Sequence, residues 1–192
     1  SGQYAGDSQR MWVVDPLDGS ANYSREIPFS AISIGLWEDT VPILGVVLEI
    51  STGRCFSGIT GVGAWVDRVQ FNCPRPIGDN AKFGILGTGF PSGFDHSTEN
   101  LMELMETTQL FGKTRLLGSA AMSLIYVATG RLDSYFEKRI ALWDIGAGIP
   151  IVQAAGGVCL TGGLDDEFRL DVEAASCPEL LASSVKARAA PD

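Results

Sequence analysis

The sequence predicts an α+β fold in which helices pack on layered β-sheets. Residues 27–66 show short strand patterns separated by turns, and residues 82–188 alternate strand and helix patterns. Strands followed by such an alternating part are typical of this class. A chain of 192 residues with 45% hydrophobic and 19% charged residues is long and apolar enough for one core. We therefore predict one domain over residues 1–192, with subdomains of about 1–78 and 79–188 that meet in a Pro- and Gly-rich stretch.

The first half of the chain predicts mostly β-structure. Residues 11–14 form an unbroken apolar run, which predicts a strand buried on both faces. Pro16 is expected to end this strand, because proline cannot donate to a ladder of backbone hydrogen bonds. Residues 27–37 and 41–50 are strand patterns joined by a turn, which predicts a β-hairpin. Shorter strands are expected at 54–57 and 63–66.

The second half alternates the two element types. Strands are predicted at 82–88, 115–117, 132–137, 158–161 and 172–175. Amphipathic or mostly apolar helices are predicted at 97–110, 119–129, 144–155 and 178–188. Gly130 and the pair Gly156–Gly157 are expected to end the second and third of these helices.

The charge of the chain excludes some partners. A net charge of −9 argues against a nucleic-acid backbone or an anionic membrane, so we predict neither as a partner. A phosphate substrate remains compatible, because a bound metal ion reverses the local field. The four cysteines are scattered without a Cys-x-x-Cys pair, which favours reduced thiols in a cytoplasmic protein.

Two carboxylates follow the first strand at a spacing that suits a metal site. Asp15 and Asp18 flank a tight turn, and the backbone carbonyl of Leu17 between them can face the same point. Three converging oxygens suit a hard divalent cation such as Mg²⁺. The N–H groups of Gly19 and Ser20 come next and can meet an anion. The alternative is an ordinary turn, since Asp-Pro-x-Asp-Gly is also a good turn sequence.

A third carboxylate lies far along the chain. Asp144 occupies the junction of a loop and a helix, where its alternative role is to cap the helix N-terminus. His96 is the only histidine, and it lies in a predicted loop, where a solvated role is expected. In an enzyme, the nucleophile is then expected to be a metal-activated water rather than a side chain.

Two long motifs together resemble the inositol monophosphatase family, within the wider superfamily that includes fructose-1,6-bisphosphatases. They are WVVDPLDGSANY at 12–23 and LWDIGAGIPIVQAAGGV at 142–158. Three further stretches fit the family, at 27–35, at 61–64 and in the blocks between 118 and 137. The resemblance implies an α/β/α/β/α sandwich and a homodimer. It also implies Mg²⁺-dependent hydrolysis of a small phosphate monoester, such as inositol monophosphate or a related polyol or sugar phosphate.

The same resemblance implies a role for each matching position. The implied Mg²⁺ ligands are Asp15, the Leu17 carbonyl, Asp18 and Asp144. Gly19 and Ser20 would hold the phosphate, and Asp18 and Ser20 would be the catalytic residues, with the Ser20 hydroxyl orienting the attacking water. The alcohol portion of the substrate would face Asp18, Ala120 and Glu137, the last accepting hydrogen bonds from hydroxyl groups.

Two features depart from the family pattern. Ser20 stands where inositol monophosphatases usually have Thr, and both residues supply a hydroxyl. No Glu precedes Asp15, although the family has a Glu-Glu pair upstream. We therefore expect that this chain starts just after the pair, lacks the N-terminal helices and leaves an apolar sheet face uncovered. A sugar bisphosphatase, a 3′-phosphonucleotide phosphatase and a non-catalytic phosphate-binding relative remain alternatives.

Overall fold

The computed structural model describes residues 10–74, 80–91 and 93–189. The first sheet has six strands in sequence order, all paired antiparallel. Its strands are β1 (Arg10–Asp18), β2 (Ala31–Glu38), β3 (Val41–Glu49), β4 (Cys55–Ile59), β5 (Gly63–Val66) and β6 (Val69–Phe71). The predicted hairpin is thus present as β2 and β3, and β6 was not predicted.

The second sheet has five strands in the order β10-β11-β9-β7-β8. Its strands are β7 (Ile85–Thr88), β8 (Lys113–Leu116), β9 (Ser134–Ala141), β10 (Val158–Thr161) and β11 (Arg169–Ala175). Strand β7 runs parallel to both of its neighbours, β8 and β9, while β11 runs antiparallel to β9 and β10. The strand predicted at 82–88 starts only at Ile85. Its first residues were predicted wrongly, since Ala81–Phe83 form a 3₁₀ turn.

Helices separate and flank the two sheets. They are α1 (Ser20–Tyr23), α2 (Thr98–Gln109), α3 (Ala120–Ala128), α4 (Leu142–Ile145), α5 (Gly148–Ala154) and α6 (Ala182–Ala189). The larger apolar core joins α3, α4 and α5 to both sheets, and a smaller one lies between α6 and the second sheet. The described layers follow the order sheet, helices, sheet, helices, which agrees with the predicted α+β sandwich. No helix in the described residues combines the length and the apolar character that crossing a membrane requires.

A row of glycines lets the middle helices approach the first sheet closely. Gly35, Gly45 and Gly58 are register partners on β2, β3 and β4. A Cβ atom at Gly45 would lie 2.0 Å from the Ala147 carbonyl oxygen, and one at Gly35 would lie 2.3 Å from that of Gly146. The chain between α4 and α5 therefore rests directly on strand backbone, which fixes the position of α4 relative to β1.

The first strand differs from its prediction. Strand β1 continues through Pro16 to Asp18, with an irregular register between Asp15 and Asp18. It is an edge strand, where a missing N–H is tolerated. Burial on both faces is also wrong: Val13 is buried, whereas Trp12 is 63% exposed. The physical reason is that α3, α4 and α5 pack on only one face of this sheet, so the opposite apolar face stays open in the described part of the chain.

The second motif forms two short helices rather than the predicted single helix over 144–155. Helix α4 ends at Ile145 and α5 begins at Gly148, because Pro150 has no N–H to donate to the Gly146 carbonyl, which accepts from Trp37 Nε1 instead. The predicted subdomain boundary near residue 78 lies outside the described residues, as does the start of the chain at Ser1 and Gly2. The division into subdomains therefore stays a prediction.

Candidate active site

One cavity of about 450 Å³ is lined by the end of β1, by β9, by the segment that follows β7, by the first turns of α1 and α3, and by α4. The turn at residues 15–20 bounds the cavity on one side, and residues of the second sheet bound it on the other. All eight residues predicted for the site line this cavity: Asp15, Leu17, Asp18, Gly19, Ser20, Ala120, Glu137 and Asp144. Their roles there stay predictions, but the structure brings them together.

The three aspartates converge as the sequence motifs indicated. Asp15, Asp18 and Asp144 each place one carboxylate oxygen within 4.8 Å of the others. Burial, and after it the nearby charges of Asp18 and Asp15, together raise the pKa of Asp144 to about 8. Burial likewise raises the pKa of Asp18 to about 6. Without a counter-ion, these groups disfavour one another's ionised form.

Asp18 is held by the N-terminus of α3. The Ser119 hydroxyl donates a hydrogen bond to Asp18 Oδ2, and the Ala121 N–H donates to the same oxygen at 2.8 Å. Both bonds lower the pKa of Asp18, although burial outweighs them. The N-terminal end of a helix also favours negative charge. One oxygen of Asp18 is thus anchored, and the other remains for the cavity.

The turn after Asp18 is fixed by its backbone and by Asn22. Gly19 has φ 74°, in the left-handed region, and a Cβ atom there would lie 2.8 Å from the Phe29 carbonyl oxygen. Asn22 Nδ2 donates hydrogen bonds to the carbonyl oxygens of Phe29 (2.9 Å) and Leu117 (2.8 Å). This side chain ties the turn to the segment before α3. Helix α1 begins at Ser20, and the first N–H groups of a helix have no partner within it.

Glu137 forms the wall of the cavity on the second sheet. It is 6% exposed, and burial raises its pKa to about 7. The Tyr135 hydroxyl donates a hydrogen bond to Glu137 Oε2 at 2.5 Å. This bond lowers the pKa of Glu137, while the charge of Asp18 raises it.

Three expectations from the sequence, for Asp144, His96 and the cysteines, can be compared with the structure. Ala141, not Asp144, stands at the N-cap position of α4, so the Asp144 carboxylate is not used as that cap. His96 is exposed and contacts the Phe90 and Phe94 rings, and it does not line the cavity. All four cysteines, which lie within the described residues, are free thiols.

Sequence reasoning missed three side chains of the site. Ser119 has the signature of a helix N-cap, and it does accept a hydrogen bond from the Met122 N–H, but its bond to Asp18 spans 101 residues and leaves no local signal. Tyr135 could have been found, because residues two apart on a strand share a face and Glu137 was already predicted. Asn22 belongs to the first motif, yet its partners are backbone atoms that the sequence cannot place.

The chemistry of the cavity fits a divalent cation. Its described lining residues include four carboxylates and no Lys, Arg or His. Buried acidic groups without a basic partner are stabilised in their ionised form by a bound metal ion. An all-oxygen set of carboxylates and a backbone carbonyl suits hard cations of the Mg²⁺ type.

Comparison with known proteins decides the family. The model of the inositol monophosphatase family matches residues 1–188. The chain belongs to this family. An inositol-1-monophosphatase of Mesorhizobium japonicum is 35% identical over 162 residues, which cover 83% of this chain and 60% of that protein. A Nus factor SuhB of Xylella fastidiosa is 34% identical over 187 residues, which cover 96% of this chain and 67% of that protein.

The fold of this family member matches a solved structure over most of its length. The inositol monophosphatase from Anabaena superposes with a TM-score of 0.83 and 30% sequence identity, covering 96% of this chain and 73% of that one. The chain spans 60% of the length of the Mesorhizobium relative. The activity and substrates of the whole protein are therefore taken up as a proposal.

Proposed function

We propose that this cavity is the active site of a phosphomonoesterase that hydrolyses a small polyol or sugar phosphate and uses Mg²⁺. One observation supports this most strongly: three buried or half-buried carboxylates, two from the first motif and one from the distant second motif, converge beside a Gly-Ser turn in one cavity. Such a group of carboxylates lowers the stability of the folded protein unless it binds a cation. The family membership and the inositol-1-monophosphatase relatives point to the same reaction.

The residues present define where metal would bind. Asp15, Asp18 and Asp144 with the Leu17 carbonyl would hold Mg²⁺. When bound, the ion supplies an activated water and neutralises charge on the phosphate. Phosphate binding is expected to require that ion, because the cavity of the free protein carries acidic groups and, among its described lining, no basic side chain.

The rest of the lining divides between the two ends of the substrate. The Gly19 and Ser20 N–H groups bind the phosphate, and the Ser20 hydroxyl orients the attacking water. Asp18 and Glu137 accept hydrogen bonds from hydroxyls of the alcohol, which packs against Ala120 at the start of α3. The burial of Glu137 and Ala120 supports this division, since buried groups exclude competing water.

The proposal is tested by Mg²⁺-dependent phosphate release from inositol monophosphate, together with Mg²⁺ binding measured by calorimetry. Asp15→Asn should abolish both, because it removes a charged ligand and keeps the shape. Asp39→Asn is the matched control, since Asp39 lies exposed in the β2–β3 turn. Unchanged release by the Asp15 variant would show that the proposal is wrong.

The same assay separates the alternatives. Faster release from a sugar bisphosphate or a nucleoside 3′-phosphate would assign one of those substrates. Mg²⁺-dependent binding of phosphate without any release would indicate the non-catalytic relative. The proposed homodimer and the cytoplasmic location also stay predictions, and sedimentation analysis tests the first of them.

A further inference from the structure

Glu137 has a partner that fixes one of its oxygens. Tyr135 and Glu137 are two residues apart on β9, so their side chains share a face of the strand. Tyr135 is 1% exposed, and its hydroxyl donates to Glu137 Oε2 at 2.5 Å. Burial raises the pKa of Tyr135 well above its ordinary value, so the phenol keeps the proton it donates. One oxygen of Glu137 is occupied, and the other is available to the cavity.

The neighbouring strand makes room for this carboxylate. Gly89 follows the last residue of β7, which runs parallel to β9 with Thr88 paired to Phe136. A Cβ atom at Gly89 would lie 2.6 Å from Glu137 Oε2 and 3.1 Å from its carboxyl carbon. The φ of Gly89 is outside the left-handed region, so its backbone does not require glycine. What it requires is space for the Glu137 side chain.

A third contact keeps the two strands in register at this level. The Thr88 hydroxyl, which is buried, donates to the Phe136 carbonyl oxygen at 2.7 Å. Phe136 lies between Tyr135 and Glu137 in β9, so this bond joins the two strands next to the pair. The Tyr135 hydroxyl therefore holds the Glu137 carboxylate along its own strand, and the backbone at Gly89 bounds it across the sheet. A long flexible side chain is held in one orientation before any ligand arrives.

We propose that Tyr135 and Gly89 are positioning residues that hold the Glu137 carboxylate ready to accept a substrate hydroxyl, and thereby favour polyol phosphates over esters without hydroxyls. This inference rests on the proposed function, because it assigns specificity to the same cavity. It predicts that the two residues act on the alcohol end of the substrate through Glu137, and not on the chemistry at phosphorus.

The test compares two substrates, inositol monophosphate and 4-nitrophenyl phosphate, under saturating Mg²⁺. Tyr135→Phe should raise KM for the inositol ester roughly tenfold, because a hydrogen bond to a charged group is lost. The kcat/KM for the aryl ester should fall by a much smaller factor. Gly89→Ala should give the same pattern, since the new methyl group displaces the carboxylate and leaves its charge. Melting temperatures verify that each variant is folded.

Matched controls and a double substitution complete the experiment. Tyr126→Phe and Gly163→Ala make the same chemical changes outside the cavity, and a Cβ atom at Gly163 meets no described atom within 4 Å. Both should behave as wild type. In a Glu137→Gln background, Tyr135→Phe should cause little further rise in KM, because the two residues act as one unit.

The outcomes separate the two proposals. Equal losses on both esters for Tyr135→Phe, or additive effects of Tyr135→Phe and Glu137→Gln, would overturn the positioning role and leave the phosphatase function intact. A wild-type protein that binds Mg²⁺ yet hydrolyses neither ester would overturn the phosphatase function, and the positioning role would fall with it.

Discussion

The Ser119 hydroxyl donates its hydrogen bond to Asp18, a residue 101 positions earlier in the chain. Asp18 ends an edge strand of the first sheet, and Ser119 caps the helix that leads into the second half. The contact therefore joins the end of β1 to the start of α3 at a single carboxylate. Since the Ala121 N–H donates to the same oxygen, helix α3 orients Asp18 as a unit.

Replacing Ser119 should weaken both the fold and the metal site. Ser119→Ala removes the cap of α3 and one bond to Asp18, so the free energy of unfolding should fall by about 1–2 kcal/mol. The Kd for Mg²⁺, measured by calorimetry, should rise, because Asp18 loses its fixed orientation. Ser119→Thr keeps the hydroxyl and should retain most of the affinity. An equal loss in the Thr variant would show that the hydroxyl is not what matters.

The metal-free protein should become less stable as pH rises from about 5 to about 8. Asp18, Glu137 and Asp144 have pKa values raised to about 6, 7 and 8, whereas the ordinary values are 3.8 for Asp and 4.5 for Glu. In that window the folded state binds more protons than the unfolded chain, so the free energy of unfolding falls with increasing pH. Melting curves in a chelator, recorded across the window, check this sign.

Mg²⁺ should reverse that trend, because it binds the deprotonated carboxylates. The rise in melting temperature on adding Mg²⁺ should therefore be larger at pH 8 than at pH 5. Asp144→Asn should flatten the pH dependence of the metal-free protein, since it removes the group with the highest of the three raised values. A metal effect that is larger at pH 5 would contradict the assignment of these residues as ligands.

The sequence predicted which carboxylates converge better than it predicted the strands and helices that carry them. Asp15, Asp18 and Asp144 were singled out because they lie in two specific motifs that resemble one family, and their convergence is confirmed, while their roles stay predictions. The course of β1 was missed, because the sequence does not say that the strand is at a sheet edge, where Pro16 is tolerated and one face is open. The break between α4 and α5 was missed although Pro150 indicates it, because a proline cannot donate the backbone hydrogen bond that would join the two helices.

Substitution of Asp144 should remove the effect of Mg²⁺ on stability. Asp144→Asn should abolish the Mg²⁺-dependent rise in melting temperature. In a chelator at pH 8 it should stabilise the protein, because it removes one of three repelling charges.

His96→Ala should change turnover less than about twofold, since an exposed residue outside the cavity has no role in a metal-activated mechanism. A large loss of turnover in the His96 variant would mean that the nucleophile has been misidentified.

The glycine row should couple the stability of the fold to the metal site. A Cβ atom at Gly45 would lie 2.0 Å from the Ala147 carbonyl oxygen, which is backbone and cannot turn away as a side chain could. Gly45→Ala should therefore push α4 and α5 off the first sheet and lower the free energy of unfolding by about 3 kcal/mol, the upper range for overpacking. Because α4 carries Asp144, the Kd for Mg²⁺ should rise as well.

Gly163→Ala is the control for this prediction. Its free energy of unfolding is expected within about 0.5 kcal/mol of wild type, since a Cβ atom at Gly163 meets no described atom within 4 Å. Urea unfolding and Mg²⁺ calorimetry on both variants decide the matter: a destabilised Gly45 variant with unchanged Mg²⁺ affinity would show that the position of α4 does not depend on the row.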